Sequence, residues 1–287
     1  MTSQPGAESA HAERQASAEG PDPDDRTQAD RYASGIFSHE LPTELARLQL
    51  MERMLDPEEI KVLDGLSIQP TWHCLEIGAG AGSIARWLAE RCPAGRVVAT
   101  DIDPRHLDPS WFPHLEVVAH DVEQDDFPPE SFDLVHARAL FQHLAERDEI
   151  LRKVVRWLKP GGWLAVGEAD MFPVDSSPYP AVKLMWQAAE QLFVAQGSDP
   201  RWARRMPVVF AEAGLVELGM SVTLDILGGG GMTDEFWRFS FAQVKPFLIE
   251  RGLVSEAVYA EAAALVNDPN FRDTMWAYVR TWGRRPA

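Results

Sequence analysis

The chain has 287 residues, 27 Lys+Arg against 44 Asp+Glu, a formal net charge of −17, and 45% apolar residues including 10 Trp. That length suits one large domain or a domain with a cap, and the apolar content excludes disorder along the whole chain. The acidity argues against nucleic acid or an anionic membrane surface as a main partner, because both demand a basic footprint.

The two cysteines, Cys74 and Cys92, stand in no paired Cys/His spacing. No disulfide framework and no metal site is therefore expected; both read as small core residues of a cytoplasmic protein. The first residues carry neither the basic start nor the apolar segment of a secretory signal, and no apolar run approaches membrane-spanning length.

In chain order, residues 1–30 hold seven acidic residues, two Arg and no aromatic or branched aliphatic residue, which predicts a disordered acidic tail. Order is expected from near Tyr32, followed by a helical pattern through Leu41, Leu45, Leu48, Met51 and Leu55 toward Ile60. Five short apolar runs then read as buried strands: Cys74–Ile77, Val97–Thr100, Leu115–Ala119, Phe132–His136 and Trp163–Gly167. Ser83–Arg91 and Glu149–Leu158 repeat apolar residues at helical spacing between them. Such alternation implies a parallel sheet covered on both faces, with ligands at the carboxyl ends of its strands. Beyond Asp170, residues 180–214 and 234–266 look helical, 215–226 look like a strand, and Met275–Trp282 looks like a last one. The run Gly228–Gly231 reads as a flexible surface connection rather than a phosphate cradle, since no Lys-Ser/Thr follows it.

The sharpest local feature is Glu76-Ile77-Gly78-Ala79-Gly80-Ala81-Gly82-Ser83, where the first strand gives way to a helix. Glycines at alternate positions allow backbone angles closed to other residues and let a nucleotide-like ligand approach the main chain. Gly80, Gly82 and Ala85 also satisfy the dinucleotide fingerprint, so the loop alone leaves two ligands open. Asp101, 19 residues after Gly82, ends the second strand, where a carboxylate can accept from two ribose hydroxyls. Asp121, after the third strand, could accept from the exocyclic amine of an adenine.

Together with Phe132-Asp133-Leu134-Val135-His136-Ala137-Arg138 and Leu158-Lys159-Pro160-Gly161-Gly162-Trp163-Leu164, these motifs resemble, in order and spacing from about residue 72 to 170, a class I S-adenosylmethionine-dependent methyltransferase. The likeness is to the ubiquinone/menaquinone-biosynthesis-type branch, which includes many bacterial small-molecule tailoring enzymes. It extends outward to Tyr32-Ala33-Ser34-Gly35 with a helix ending Leu55-Asp56-Pro57, and to Trp282-Gly283-Arg284-Arg285-Pro286.

The resemblance implies an α/β, Rossmann-like, doubly wound, seven-stranded, mostly parallel sheet with helices on both faces, an N-terminal helix and helical cap insertions. It divides residues 31–287 into a helical lid (31–70), a donor-binding core (71–170) and substrate-pocket helices with the last strands (171–287). S-adenosylmethionine would be the cofactor. Gly78, Ala79, Gly80 and Gly82 would pass under its methionine and ribose, Glu76 would organise the loop and the ammonium, and Asp101 would hold the ribose. Ile102 would pack on adenine, Asp121 with the Val122 backbone would read its edge, and Tyr32 would close over the donor. The position of Met51 is often Gln in this branch, so a polar donor contact there is in doubt.

Methyl transfer to a hydroxyl or protonated amine needs a base, and His143 is one candidate, with pocket lining as its competing role. Arg138 could bind the donor carboxylate, bind an acidic acceptor or tie the loop down. Glu168 and Asp170 could orient a cationic acceptor or stand as ordinary strand-end acids, and His136 is expected to stay within the strand packing. Trp186, Phe193, Trp202 and Trp237 belong to the helical additions, as core residues or pocket lining, and Arg201, Arg204 and Arg205 read as a solvated helix face. The expected partner is a small-molecule substrate, plausibly a specialised metabolite, with the oligomeric state open and a homodimer one option. Two other readings stand beside it: an NAD-dependent oxidoreductase on a similar sheet, and an S-adenosylmethionine-binding protein with a non-transfer or regulatory role.

Overall fold

The computed structural model describes residues 38–287; the acidic tail and Tyr32 lie outside the described residues. Helix α1 spans Glu44–Gly65. It continues through Pro57 rather than ending there, and its C-terminal half packs Leu63 with Ile84 and Leu88 of α2 (Ser83–Arg91).

The seven strands are β1 (His73–Ile77), β2 (Arg96–Asp101), β3 (Leu115–Ala119), β4 (Phe132–Arg138), β5 (Leu158–Asp170), β6 (Val216–Leu224) and β7 (Ala277–Arg284). They stand in the order β3-β2-β1-β4-β5-β7-β6. The first five run parallel, and β7 runs antiparallel between β5 and β6. Leu75, Val98, Leu134, Val135 and Leu164 are essentially inaccessible, as strands covered on both faces require. The order reverses between β1 and β4, and the crevice beyond their carboxyl ends is where such sheets bind ligands.

One face of the sheet is covered by α3 (Arg147–Trp157) and the short α5 (Met206–Glu212), which bury Trp157, Trp202 and Phe210. A second core, under α4 (Pro180–Val194), α6 (Met232–Glu250) and α7 (Glu256–Val266), gathers Trp186, Phe236, Trp237 and Trp276 above the strand ends.

Four expectations on boundaries change. The helical stretch 180–214 is α4 and α5 separated at Gly197 (φ +86) and Pro200. The stretch 234–266 is two helices, broken at Gly252 (φ +65). The last strand lies two residues later than expected. Leu158 begins β5, because a bulge between Phe132 and Leu134 lets β4 pair with both Leu158 and Trp163.

The Gly228–Gly231 run is neither flexible nor a phosphate cradle. Asp234, buried, accepts the N–H groups of Gly228 (2.6 Å) and Gly230, and a Cβ at Gly228 would lie 1.9 Å from the Phe271 carbonyl oxygen. Two of its N–H groups, those of Gly228 and Gly230, are thus already taken by a carboxylate.

Candidate active site

A cavity of about 790 Å³ opens beyond the carboxyl ends of β1, β2 and β4, under α1, α4 and α6. Its floor is the glycine loop. Gly78 (φ +67) and Gly80 (φ +57) line it, and a Cβ on Gly80 would come no nearer than 3.6 Å to the Leu48 side chain. The loop is held from below: Ala79 N–H donates to the Thr100 carbonyl at 2.8 Å, and Gly80 N–H donates to Asp101 Oδ2 at 2.9 Å. Asp101 also accepts from Asp103 N–H at 3.0 Å. Burial pushes the Asp101 carboxyl up from its ordinary range, partly offset by His39 and these two N–H donors.

Gly82 does not line the cavity. It has φ +86, and a Cβ there would meet the Trp111 ring at 2.6 Å, so this glycine serves packing against β2's exit loop rather than a ligand.

Glu76, at the end of β1, lines the inner wall and begins a buried chain of charges. Its Oε2 lies 2.6 Å from His136 Nδ1; His136 Nε2 lies 3.0 Å from Glu59 Oε1; Arg280 Nε donates to Glu59 Oε2 at 2.9 Å. His136, Glu59 and Arg280 are each at most 1% exposed. Burial alone would push the imidazole down, yet Glu76 and Glu59 on either side outweigh it and hold His136 up at about 9. Burial likewise works against ionised Glu59, but His136 and Arg280 outweigh it and keep the carboxyl below its usual range. Two anions thus alternate with two cations, and strand packing alone, as expected for His136, misses this.

Arg138 lines the cavity but is committed to the scaffold, with Nη1 donating to Asp56 Oδ1 at 2.5 Å and Nη2 to Ser83 Oγ at 3.3 Å. The same helix end receives two carboxylates from α1: Ser83 N–H donates to Glu52 Oε1 at 2.9 Å and Ser83 Oγ to Asp56 Oδ1 at 3.1 Å. The first N–H of α2 and the Ser83 hydroxyl are therefore already bonded to side chains of α1.

Glu168 does not reach the cavity. It is fully buried behind the β4 loop, where its Oε1 accepts the N–H groups of Leu140 (2.9 Å) and Phe141 (2.6 Å), and burial pushes its carboxyl up to about 8. Asp170 is buried too and accepts from Phe172 N–H at 3.0 Å, so neither acid faces an acceptor. Asp121 likewise stays out of the lining and accepts Glu123 N–H at 2.9 Å, whereas Ile102, His120 and Val122 line that side.

His143 does line the cavity, 3.2 Å from Ser198 Oγ, and burial together with the Arg47 and Arg147 charges lowers it to about 4. It is neutral at physiological pH.

The opposite wall is aromatic. Trp186, Phe193, Trp237, Phe241 and Phe247 line it with Met51 and Met171, and Trp186 meets Trp237 edge to face at 4.7 Å. Trp202 lies outside the lining, stacked on Phe141 with its indole N–H on Asp148 at 2.7 Å. Arg201 is no loose surface cation: it grips Asp175 and Glu190. Sequence reasoning gave no role to His39, Glu44, Arg47 or Gln142, all in the lining. Their isolated positions before and on α1 and after β4 carry no motif.

Residues 75–166, which include the glycine loop, Asp101 and β4, match the family model described as "Methyltransferase domain". Methyltransferase str3 of Strobilurus tenacellus is 31% identical over 140 residues, which span 46% of this chain and 48% of that protein. Trans-aconitate 2-methyltransferase of Sinorhizobium fredii is 29% identical over 143 residues, 48% of this chain and 52% of that protein. The chain thus covers about half the length of the relatives it matches. Among solved structures, a Haemonchus contortus phosphoethanolamine N-methyltransferase 2, in complex with phosphomonomethylethanolamine and S-adenosylhomocysteine, superposes with a TM-score of 0.59 at 14% identity, covering 90% of this chain and 60% of that one. That likeness is one of fold. No helix among the described residues is long and apolar enough to cross a membrane.

Proposed function

We propose that the protein transfers a methyl group from S-adenosylmethionine to a small, carbon-rich acceptor that is neutral or anionic. The observation that carries the donor is the pairing of Asp101 and Glu76 at two ends of a glycine floor, with Ile102 and Val122 as apolar lining between loops. Asp101 suits a ribose diol, Glu76 an ammonium, and Ile102 the face of an adenine.

A dinucleotide would instead place its pyrophosphate on the N-terminus of α2. At that position Glu52 accepts the Ser83 N–H and Asp56 the Ser83 hydroxyl, so two carboxylates stand where the pyrophosphate would lie. The oxidoreductase reading loses its principal contact there.

The acceptor class follows from the lining. Four acidic residues border the cavity; two belong to the donor side, Glu52 is bonded to Ser83, and Glu44 is paired with Arg47 at 2.6 Å and with Gln243 at 3.0 Å. Among the described residues, no uncommitted carboxylate therefore faces the aromatic wall to offset the desolvation of a cationic amine. Arg251, also in the lining, favours a neutral or negative group instead.

Bound S-adenosylmethionine supplies a methyl already activated by its positive sulfur. The protein aligns the acceptor, excludes water with its aromatic wall, and offers neutral His143 as a hydrogen-bond acceptor for an incoming hydroxyl. Arg138 and Glu168 position the loops without touching the acceptor.

Calorimetry tests the donor: S-adenosylhomocysteine binds, NAD does not, and Asp101→Ala weakens binding on the order of 100-fold through loss of two charge-assisted hydrogen bonds. NAD binding with no S-adenosylhomocysteine binding would overturn the reading. Labelled donor offered phenols, carboxylic acids and alkylamines tests the acceptor; transfer confined to the amines would contradict it.

A further inference from the structure

Given methyl transfer, on which the assignment rests, we infer that Gln142 reads the acceptor: its carboxamide hydrogen-bonds an uncharged oxygen, a hydroxyl or a carbonyl, at the end of the acceptor nearest the glycine floor. Gln142 follows β4 in the 3₁₀ turn Phe141–His143, lines the cavity and is only 9% exposed. Its side-chain amide makes no hydrogen bond with any described residue.

The turn that carries this side chain is anchored on three sides. Behind it, Glu168 Oε1 accepts the N–H groups of Leu140 and Phe141 at 2.9 and 2.6 Å, and buried Phe141 stacks on Trp202 with ring centroids 5.5 Å apart. Beside it, the Gln142 carbonyl accepts the Asp199 N–H at 2.7 Å and His143 lies 3.2 Å from Ser198 Oγ, so two consecutive residues are tied to the loop after α4. Below it, a Cβ on Gly78 would come within 3.2 Å of Leu140 Cδ1, which sets the turn directly against the floor. Phe141 takes the core side of the turn and Gln142 the cavity side. A side chain mounted in this way is positioned before a ligand arrives.

A carboxamide offers two N–H donors and an acceptor oxygen and does not titrate, so it orients a partner group without taking its proton. Solvent can satisfy such an amide in an open cavity, but a bound acceptor excludes solvent from a residue already nine-tenths buried. The amide then finds its partner on the acceptor or goes without one. Leaving it unpaired weakens binding by about 10-fold or more, which is how a site rejects an analogue lacking the matching oxygen. The aromatic wall supplies contact area and makes no such distinction.

A charged group is disfavoured at this depth. Arg138 is bonded to Asp56 and Ser83 and Arg47 to Glu44, and drawing either away would strand a carboxylate. The cavity-facing stripe of α6 runs through Trp237, Phe241, Val244 and Phe247 and ends at exposed Arg251, so an anionic group belongs at that far end. The acceptor that fits has a carbon-rich body along the stripe and an uncharged oxygen at Gln142.

The test is calorimetry on the full chain saturated with S-adenosylhomocysteine, using two probes of nearly the same shape, 2-naphthol and 2-methylnaphthalene. Gln142→Leu and Gln142→Met, both apolar and close to glutamine in volume, are the variants. The native complex is expected to bind 2-naphthol at least about 10-fold more tightly than 2-methylnaphthalene, and each variant to bring the two within about 3-fold of one another. Affinity for S-adenosylhomocysteine is expected to stay unchanged in both variants, which checks that they fold. Equal affinity of the native complex for the two probes, a preference that survives in both variants, or binding of neither probe overturns the inference and leaves the donor reading standing. A native chain that binds no S-adenosylhomocysteine overturns the methyl-transfer reading, and this assignment with it.

Discussion

His136 is the residue on which the donor site's charge balance turns, because it joins Glu76 in the cavity wall to Glu59 and Arg280 in the interior. Breaking a buried pair leaves an uncompensated charge, so Arg280→Leu is expected to cost about 3–5 kcal/mol in chemical denaturation. The pH dependence has a definite sign. The folded value of about 9 for His136 exceeds its ordinary 6.5, so its stabilisation is whole below pH 6.5 and lost by the time pH has risen through about 9. Glu168 acts in the same direction: its folded value of about 8 exceeds the ordinary 4.5, and its protonated form is the one that suits the fold. Thermal unfolding scans are therefore expected to show a midpoint falling by on the order of 5 °C between about pH 6 and 9.5. A flat profile would mean that neither group titrates as described. His143 predicts the opposite of an active-site titration. Lowered to about 4, it gives turnover no acid limb between about pH 5.5 and 8, and His143→Gln is expected to retain the donor affinity of the native chain.

At the scale of elements, the glycine loop separates into two functions that its sequence does not distinguish. A Cβ on Gly80 would make only ordinary contact with Leu48, whereas one on Gly82 would clash with an indole, although both glycines have positive φ. Gly82→Ala is expected to lower stability by more than about 3 kcal/mol through strain and the clash with Trp111, whereas Gly80→Ala costs about 1–2 kcal/mol and chiefly weakens S-adenosylhomocysteine binding. Thermal scans and calorimetry on the two variants check the contrast.

The same loop shows what was legible. Strands β1, β2, β4 and β5 were readable because both faces are buried, leaving largely apolar runs, and the edge strand β3 from its short aliphatic run Leu115–Ala119. That the glycine loop and Asp101 stand at the cavity was readable because backbone geometry and a strand end fix their positions. Glu168 and Asp121 were misplaced for the converse reason. A strand-end acid can turn into the cavity or bond a neighbouring N–H, and only the third dimension decides which. Arg47 and Glu44 gave no signal, since a salt bridge three residues apart looks identical on any helix surface. Pro57 misled in its own way. Proline usually marks a helix end, but α1 tolerates it.

For the molecule as a whole, the cavity is closed by segments far apart in sequence: Gln243 of α6 donates to Glu44 of α1 at 3.0 Å, across 199 residues. A ligand bound there ties these segments together. Saturation with S-adenosylhomocysteine at about 100 times its dissociation constant is expected to add about 2.7 kcal/mol to unfolding.

The placement of β7 has a consequence in time. It is the last strand made, yet it lies between β5 and β6 and carries Arg280, 221 residues from its partner Glu59. While a chain is still being synthesised, Glu59 has no cation behind it, His136 has one anchored neighbour fewer, and β6 has no strand to join. Until residue 280 has been made, the Glu76–His136–Glu59 chain behind the cavity wall lacks its terminal cation, so the charge balance of that wall is completed late in synthesis.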